Sequence, residues 1–169
     1  MSNFDIVASV VIINEAIDTT RGIAHDLLPP VLEEFGLKQA LIELVEKYER
    51  TDQLQIYLQV VNLPSLSTKS MIELNIFRII QELVNNSIKH GKAKEISIIL
   101  EKQDQEIKLY YKDKGKGFNT DDKFTNGKGL GMKNIESRIQ ILKGKWCYES
   151  SPNQGFKATF SQIPLYEQN

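Results

Sequence analysis

The chain has 169 residues, 41% hydrophobic and 25% charged, with a formal net charge of −1. That suffices for one domain with a core and a short appendage, and at that net charge no large electrostatic pull toward nucleic acid or anionic membrane is expected. Its single cysteine, Cys147, excludes an intrachain disulfide and fits a reducing compartment.

The first residues lack the basic-then-apolar pattern of a secretory signal, and no apolar run nears the roughly 18 residues that span a bilayer. A cytoplasmic location is therefore expected, within a parent protein that can itself be membrane-anchored. Residues 5–28 read as one long helix. Ile6, Val10, Ile13, Ile17, Thr20, Ala24 and Leu27 follow a 4-3 spacing, the stripe of a helix that packs along another. A domain this small cannot cover such a stripe alone, so a partner helix, most simply from a second copy, is expected. Pro29 and Pro30 end that helix, because the residue before a proline avoids the α region.

Leu37 to Tyr48 has helical spacing, and Leu54 to Val61 alternates as a strand. Ser70, with Glu73 three residues on, caps a helix that runs to about His90 and stops at Gly91. Ile96–Leu100 and Glu106–Tyr111 read as a hairpin around Asp104. Residues 113–129 form a loop rich in Gly, Asp, Asn and Lys, and Leu130–Leu142 a helix. A last hairpin joins Trp146–Ser150 to Phe156–Ile163 through Pro152–Gly155. Helices on a mixed sheet, an α+β domain with a long N-terminal helix before it, are the expected layout.

Three stretches carry chemistry. In "RIIQELVNNSIKHGKA", Glu82 and Asn86 stand four apart on one helix face, with Lys89 and His90 a turn further. An amide oxygen suits Mg²⁺ bound jointly with nucleotide phosphates, and Lys and His offset phosphate charge. A solvated helix face is the alternative. In "DKGKGF", Asp113 ends a strand, where a buried carboxylate can accept from an exocyclic amine such as that of adenine. Gly115 and Gly117 permit close approach of a flat ligand. A polar turn would use the same residues. In "NGKGLGMKN", Gly127, Gly129 and Gly131 open a helix whose free N–H groups favour an anion. The third glycine comes too early for a dinucleotide-binding fingerprint, and no parallel βαβ unit surrounds it.

Taken in order, these stretches, with Gly155 and Thr159 in the terminal hairpin, resemble the ATP-binding fold shared by gyrase, the large heat-shock chaperones, mismatch-repair ATPases and bacterial histidine kinases. The segments "QELVNNSIKHGKA" and "GLGMKNIESRIQILKGKWCYESSPNQG" are similar to histidine kinases of the nitrate- and desaturase-sensor subfamily. The resemblance implies a two-layer α/β sandwich of the Bergerat type. It implies that Asn86 coordinates Mg²⁺, that Glu82 orients water or the metal shell, and that Lys89 and His90 approach the phosphates. Asp113 would bind the adenine amine, with Gly115 and Gly117 clearing space. Gly127, Gly129, Leu130, Gly131 and Met132 would meet ATP under a short lid at 118–128, and Thr159 would sit near the adenine end. Two positions depart from the pattern: Lys114 stands where Asn or Asp is common, and "GFKAT" replaces a Gly-Thr-Thr-type ending.

His25 sits about four residues before Pro29, and no second hairpin helix fits before the strand at 54. Residues 1–36 therefore read as the end of the second dimerisation helix and its linker, and 37–169 as the catalytic domain. The first hairpin helix, with the phosphoacceptor, would lie elsewhere. A histidine near a helix C-terminus has an ordinary electrostatic explanation. The implied activity is a protein-histidine kinase that does not phosphorylate itself at His25. Its implied partners are ATP, a phosphoacceptor helix and a response regulator, without nucleic acid. A stand-alone regulator with the same fold, such as an anti-sigma-type serine kinase, is the alternative.

Overall fold

The computed structural model describes residues 29–52, 54–64, 70–120 and 129–165. The expected helix at 5–28, His25, Gly127 and most of the lid lie outside the described residues. The elements are α1 (Pro30–Asp52), β1 (Gln55–Val61), α2 (Met71–Asn86) with a π-helical turn at Ser87–Gly91, β2 (Glu95–Gln103), β3 (Glu106–Asp113), α3 (Leu130–Ile141), β4 (Lys145–Ser150) and β5 (Phe156–Pro164).

The first helix begins earlier than the periodicity from Leu37 suggests. The Pro29 carbonyl accepts from Leu32 N and Glu33 N at 2.9 and 3.1 Å, so Pro30 opens a helix. Proline suits that first position, where its missing N–H would have no intrahelical partner. Gly36, at φ 77, breaks the helix at the point where the sequence pattern changes. Leu32 before the break and Leu37, Ala40 and Leu41 after it all enter the same core.

The five strands form one mixed sheet in the order β1-β2-β3-β5-β4. β1 runs parallel to β2, with α2 as the crossover, and the remaining pairs are antiparallel. Alternation sorts the residues. Ile56, Ile96, Ile98, Leu100, Ile107, Leu109, Tyr111, Ala158 and Phe160 are buried on the face that meets the helices. A β-bulge resets this alternation in β5. Leu109 pairs with Phe160 and Ile107 with Ile163, so β5 spends one residue more than β3 between the two pairs. Gln162, at φ 56, absorbs the extra residue, and both Phe160 and Ile163 stay buried.

α2 is the central helix, with Ile76, Ile79, Ile80, Leu83 and Val84 all fully buried or nearly so. Ser70 caps it as the sequence suggests, its Oγ accepting from Ile72 N at 3.2 Å. Its end differs from expectation. The backbone passes through the π turn, and Lys92, not Gly91, takes the left-handed conformation (φ 52, ψ 34) that closes it. Lys92 and Ala93 both donate to the Ser87 carbonyl. No helix among the described residues is long and apolar enough to cross a membrane.

Candidate nucleotide site

The site lies where the end of α2, the end of β3 and the start of α3 converge. β3 runs antiparallel to β2, so its last residue, Asp113, lies opposite Ile96 at the start of β2, on the helix-facing side. Only 3% of Asp113 is exposed. A carboxylate so buried needs donors, and it has them. Oδ1 accepts from Gly115 N at 2.8 Å and from Phe156 N at 3.2 Å, and Oδ2 accepts from Ser87 Oγ at 2.5 Å. Each carboxylate oxygen takes two hydrogen bonds in the usual case. Oδ1 is therefore full, and Oδ2 keeps one acceptor direction open.

The glycines of the second stretch have different reasons. A Cβ on Gly115 would stand 2.7 Å from the Gly91 carbonyl oxygen, so the loop after β3 lies directly on the end of α2. The Gly91 carbonyl also accepts from Lys116 N at 2.7 Å. Gly117 has φ 59, and its Cβ would meet the Ser151 carbonyl at 2.0 Å. Gly155 has φ 73, and its Cβ would fall 2.2 Å from the Asp113 carbonyl oxygen. Only glycine fits such positions without backbone movement. The two turns thus close around Asp113, and Phe118 and Tyr148 stack on Phe156 with centroids 6.0 and 5.7 Å away.

Glu82 and Asn86 share the α2 face that meets the start of α3. A Cβ on Gly131 would lie 2.1 Å from Glu82 Oε1 and 3.1 Å from Asn86 Nδ2. The third glycine of that stretch therefore lets the N-terminus of α3 rest on these two polar side chains. The first N–H groups of a helix have no intrahelical partners, and Gly129 supplies no side-chain cap to α3.

The other expected residues are placed unevenly. Lys89 and His90 are exposed on the π turn just past Asn86. Leu130, 77% exposed, opens α3, whereas Met132 packs against the hydrophobic core. Thr159 is not brought to the site. It pairs with Tyr110 and Cys147, between the buried Ala158 and Phe160, on the sheet face opposite Asp113. Counting glycine and threonine along the strand missed this alternation. Phe156, three residues earlier, is the β5 residue that touches Asp113. Lys114 turns outward, its Nζ 2.6 Å from a Glu95 carboxylate oxygen, and this hydrogen bond chiefly raises its pKa.

Sequence reasoning also passed over Ser87 and Tyr111. Ser87 Oγ lies 2.8 Å from Tyr111 Oη as well as against Asp113. Burial, foremost, holds the Tyr111 phenol well above its usual pKa, so it stays protonated. The signal was present: Tyr111 and Asp113 are two apart on one strand, and therefore share its face.

A buried carboxylate at a strand end, a polar helix face and a glycine-opened helix on a two-layer α/β domain together could take a nucleotide. A model of the histidine kinase-, DNA gyrase B-, and HSP90-like ATPase family matches residues 71–167, and the chain belongs to that family. It is 34% identical over 146 residues to the sensor histidine kinase ComP of Bacillus subtilis (strain 168), covering 86% of this chain and 19% of that protein. It is 29% identical over 154 residues to the signal transduction histidine-protein kinase/phosphatase DegS of Brevibacillus brevis, covering 90% and 39%. The chain thus spans well under half the length of these relatives. Among solved structures, the Acinetobacter baumannii histidine kinase AdeS shares the fold with a TM-score of 0.59 at 18% identity, over 96% of this chain and 83% of that one. The Erythrobacter litoralis EL346 blue-light activated histidine kinase matches with a TM-score of 0.61 at 15% identity, over 76% and 45%.

Proposed function

We propose that this chain is the ATP-binding catalytic part of a cytoplasmic sensor histidine kinase, with the catalytic domain beginning at Pro30, seven residues before the expected boundary because Leu32 shares its core, and the preceding residues as part of a dimerisation helix and linker. It would transfer the γ-phosphoryl group of ATP to a histidine on a dimerisation hairpin, for delivery to a response regulator. The observation that carries this reading is the packing of Gly131 on Glu82 and Asn86, which puts the start of α3 beside the polar face of α2. The relatives, both sensor or signal-transduction histidine kinases by name, favour it over a stand-alone serine kinase.

Asn86 fits Mg²⁺ that is held jointly with phosphate oxygens. Bound Mg²⁺ would neutralise phosphate charge. Glu82 would orient water or the metal shell. The α3 amides from Gly129 to Gly131, with Lys89 and His90, would offset the remaining negative charge. Asp113 would select the base through its open Oδ2 direction. Phosphoryl transfer then depends on positioning and charge stabilisation, not on covalent chemistry by the chain.

Calorimetric titration with ATP, with and without Mg²⁺, should show Asn86→Ala losing the metal-dependent part of affinity, about tenfold, as for one hydrogen bond or ligand to a charged group. Incubation with radiolabelled ATP and a separate dimerisation hairpin should place acid-labile label on the hairpin. Acid-labile label on this chain alone that disappears in His25→Ala would overturn the exclusion of His25 as acceptor.

A further inference from the structure

Tyr111, Ser87 and Asp113 form a chain of hydrogen bonds whose direction is determined. Asp113 as a carboxylate only accepts, so Ser87 must donate its one hydroxyl proton to Oδ2. Ser87 then has only lone pairs to offer Tyr111, so the Tyr111 phenol donates to it. All three side chains are buried, and burial keeps Tyr111 protonated and able to donate. The π turn that begins at Ser87 leaves this hydroxyl on the strand side of α2, while Asn86 beside it faces α3.

We infer that Ser87, fixed by Tyr111, is a positioning residue for base recognition: it occupies one acceptor direction of Asp113 Oδ2 and aims the other at the 6-amino group of a purine. The inference rests on the nucleotide-site reading above and deepens it. With Gly115 N and Phe156 N filling Oδ1 and Ser87 Oγ on Oδ2, three of the four acceptor directions of the carboxylate are taken and one is vacant. A 6-amino purine offers the donor that this vacancy accepts. A 6-oxo purine would set oxygen against oxygen. Removing the Ser87 hydroxyl frees Oδ2 to turn or to take up solvent, so the contact to the amine loses its aim. Contacts to the phosphates and to the rest of the base do not pass through Ser87.

The test compares ATP with its analogue lacking the 6-amino group, titrated into the 169-residue chain. Ser87→Ala should weaken ATP about tenfold, the scale of one hydrogen bond to a charged group, and leave the analogue within about twofold. Tyr111→Phe, which retains ring packing, should do the same to a smaller degree, about threefold. An equal loss for both nucleotides, or no loss for either in both variants, overturns the inference. Asp113→Asn is measured in parallel. If it weakens ATP while Ser87→Ala and Tyr111→Phe change nothing, the relay is wrong and the site stands. If Asp113→Asn is itself without effect, the site reading falls and the relay with it.

Discussion

Asp113→Asn should weaken ATP binding about 10- to 100-fold in calorimetric titration, the worth of a good hydrogen bond to a charged group. The replaced amide carries one oxygen and one NH₂. The Oδ1 position faces two backbone donors, Gly115 N and Phe156 N, so the amide oxygen must stay there. The NH₂ then takes the Oδ2 position. Ser87 can turn its hydroxyl and accept from it, which limits the cost to folding. An adenine amine cannot turn in this way, and it meets donor against donor. Affinity should therefore fall far more than melting temperature. Unchanged ATP affinity in a folded Asp113→Asn protein would refute the assignment of this carboxylate to the base.

Gly155→Ala should have the largest effect on stability, about 2–4 kcal/mol, read from denaturant unfolding. Its φ of 73 is unfavourable for any residue with a Cβ, and the added carbon would sit 2.2 Å from the Asp113 carbonyl oxygen. Backbone cannot swing aside, so β5 must move away from β3. That movement also pulls Phe156 N from Asp113 Oδ1, so nucleotide affinity should fall with stability. Gly131→Ala is the contrasting case. Its Cβ meets Glu82 Oε1, the far end of a flexible side chain that can rotate away. Its unfolding midpoint should stay close to that of the natural chain. Equal destabilisation by the two substitutions would contradict the distinction between a backbone obstacle and a side-chain one.

Much of the fold was legible because the signals are local. β-branched alternation marks the strands. The spacing of Leu74, Phe77, Ile80, Leu83 and Val84 marks α2, all of them buried but Leu74, which is half-buried, and the Ser70 cap marks its start. Glu82 and Asn86 share a face by helical period alone. Errors fell where a local rule had more than one outcome. The proline pair was read only as the stop of a helix at 5–28, which lies outside the described residues, whereas Pro30 starts α1. Gly91 was read as a helix stop that needs glycine, yet Lys92 takes the left-handed turn, and Gly91 contributes its carbonyl to the loop holding Gly115.

The sequence by itself determined the order of elements, the polar face of α2, the strand-end position of Asp113 and the glycines that punctuate the loops, since each depends on residues within a few positions of one another. Only the tertiary structure decided what those groups meet. That Gly131 rests on Glu82, that Gly155 closes on the Asp113 carbonyl, and that Ser87 reaches Asp113 from 26 residues away are facts of packing between α2, α3 and the sheet. Thr159 shows the same limit from the other side. Its distance along the chain from Gly155 is fixed, but its side chain follows the two-residue alternation of β5, and that phase places it across the sheet from the site. Local periodicity gives each element its own faces, and the burial of apolar surface by several elements at once chooses which faces come together.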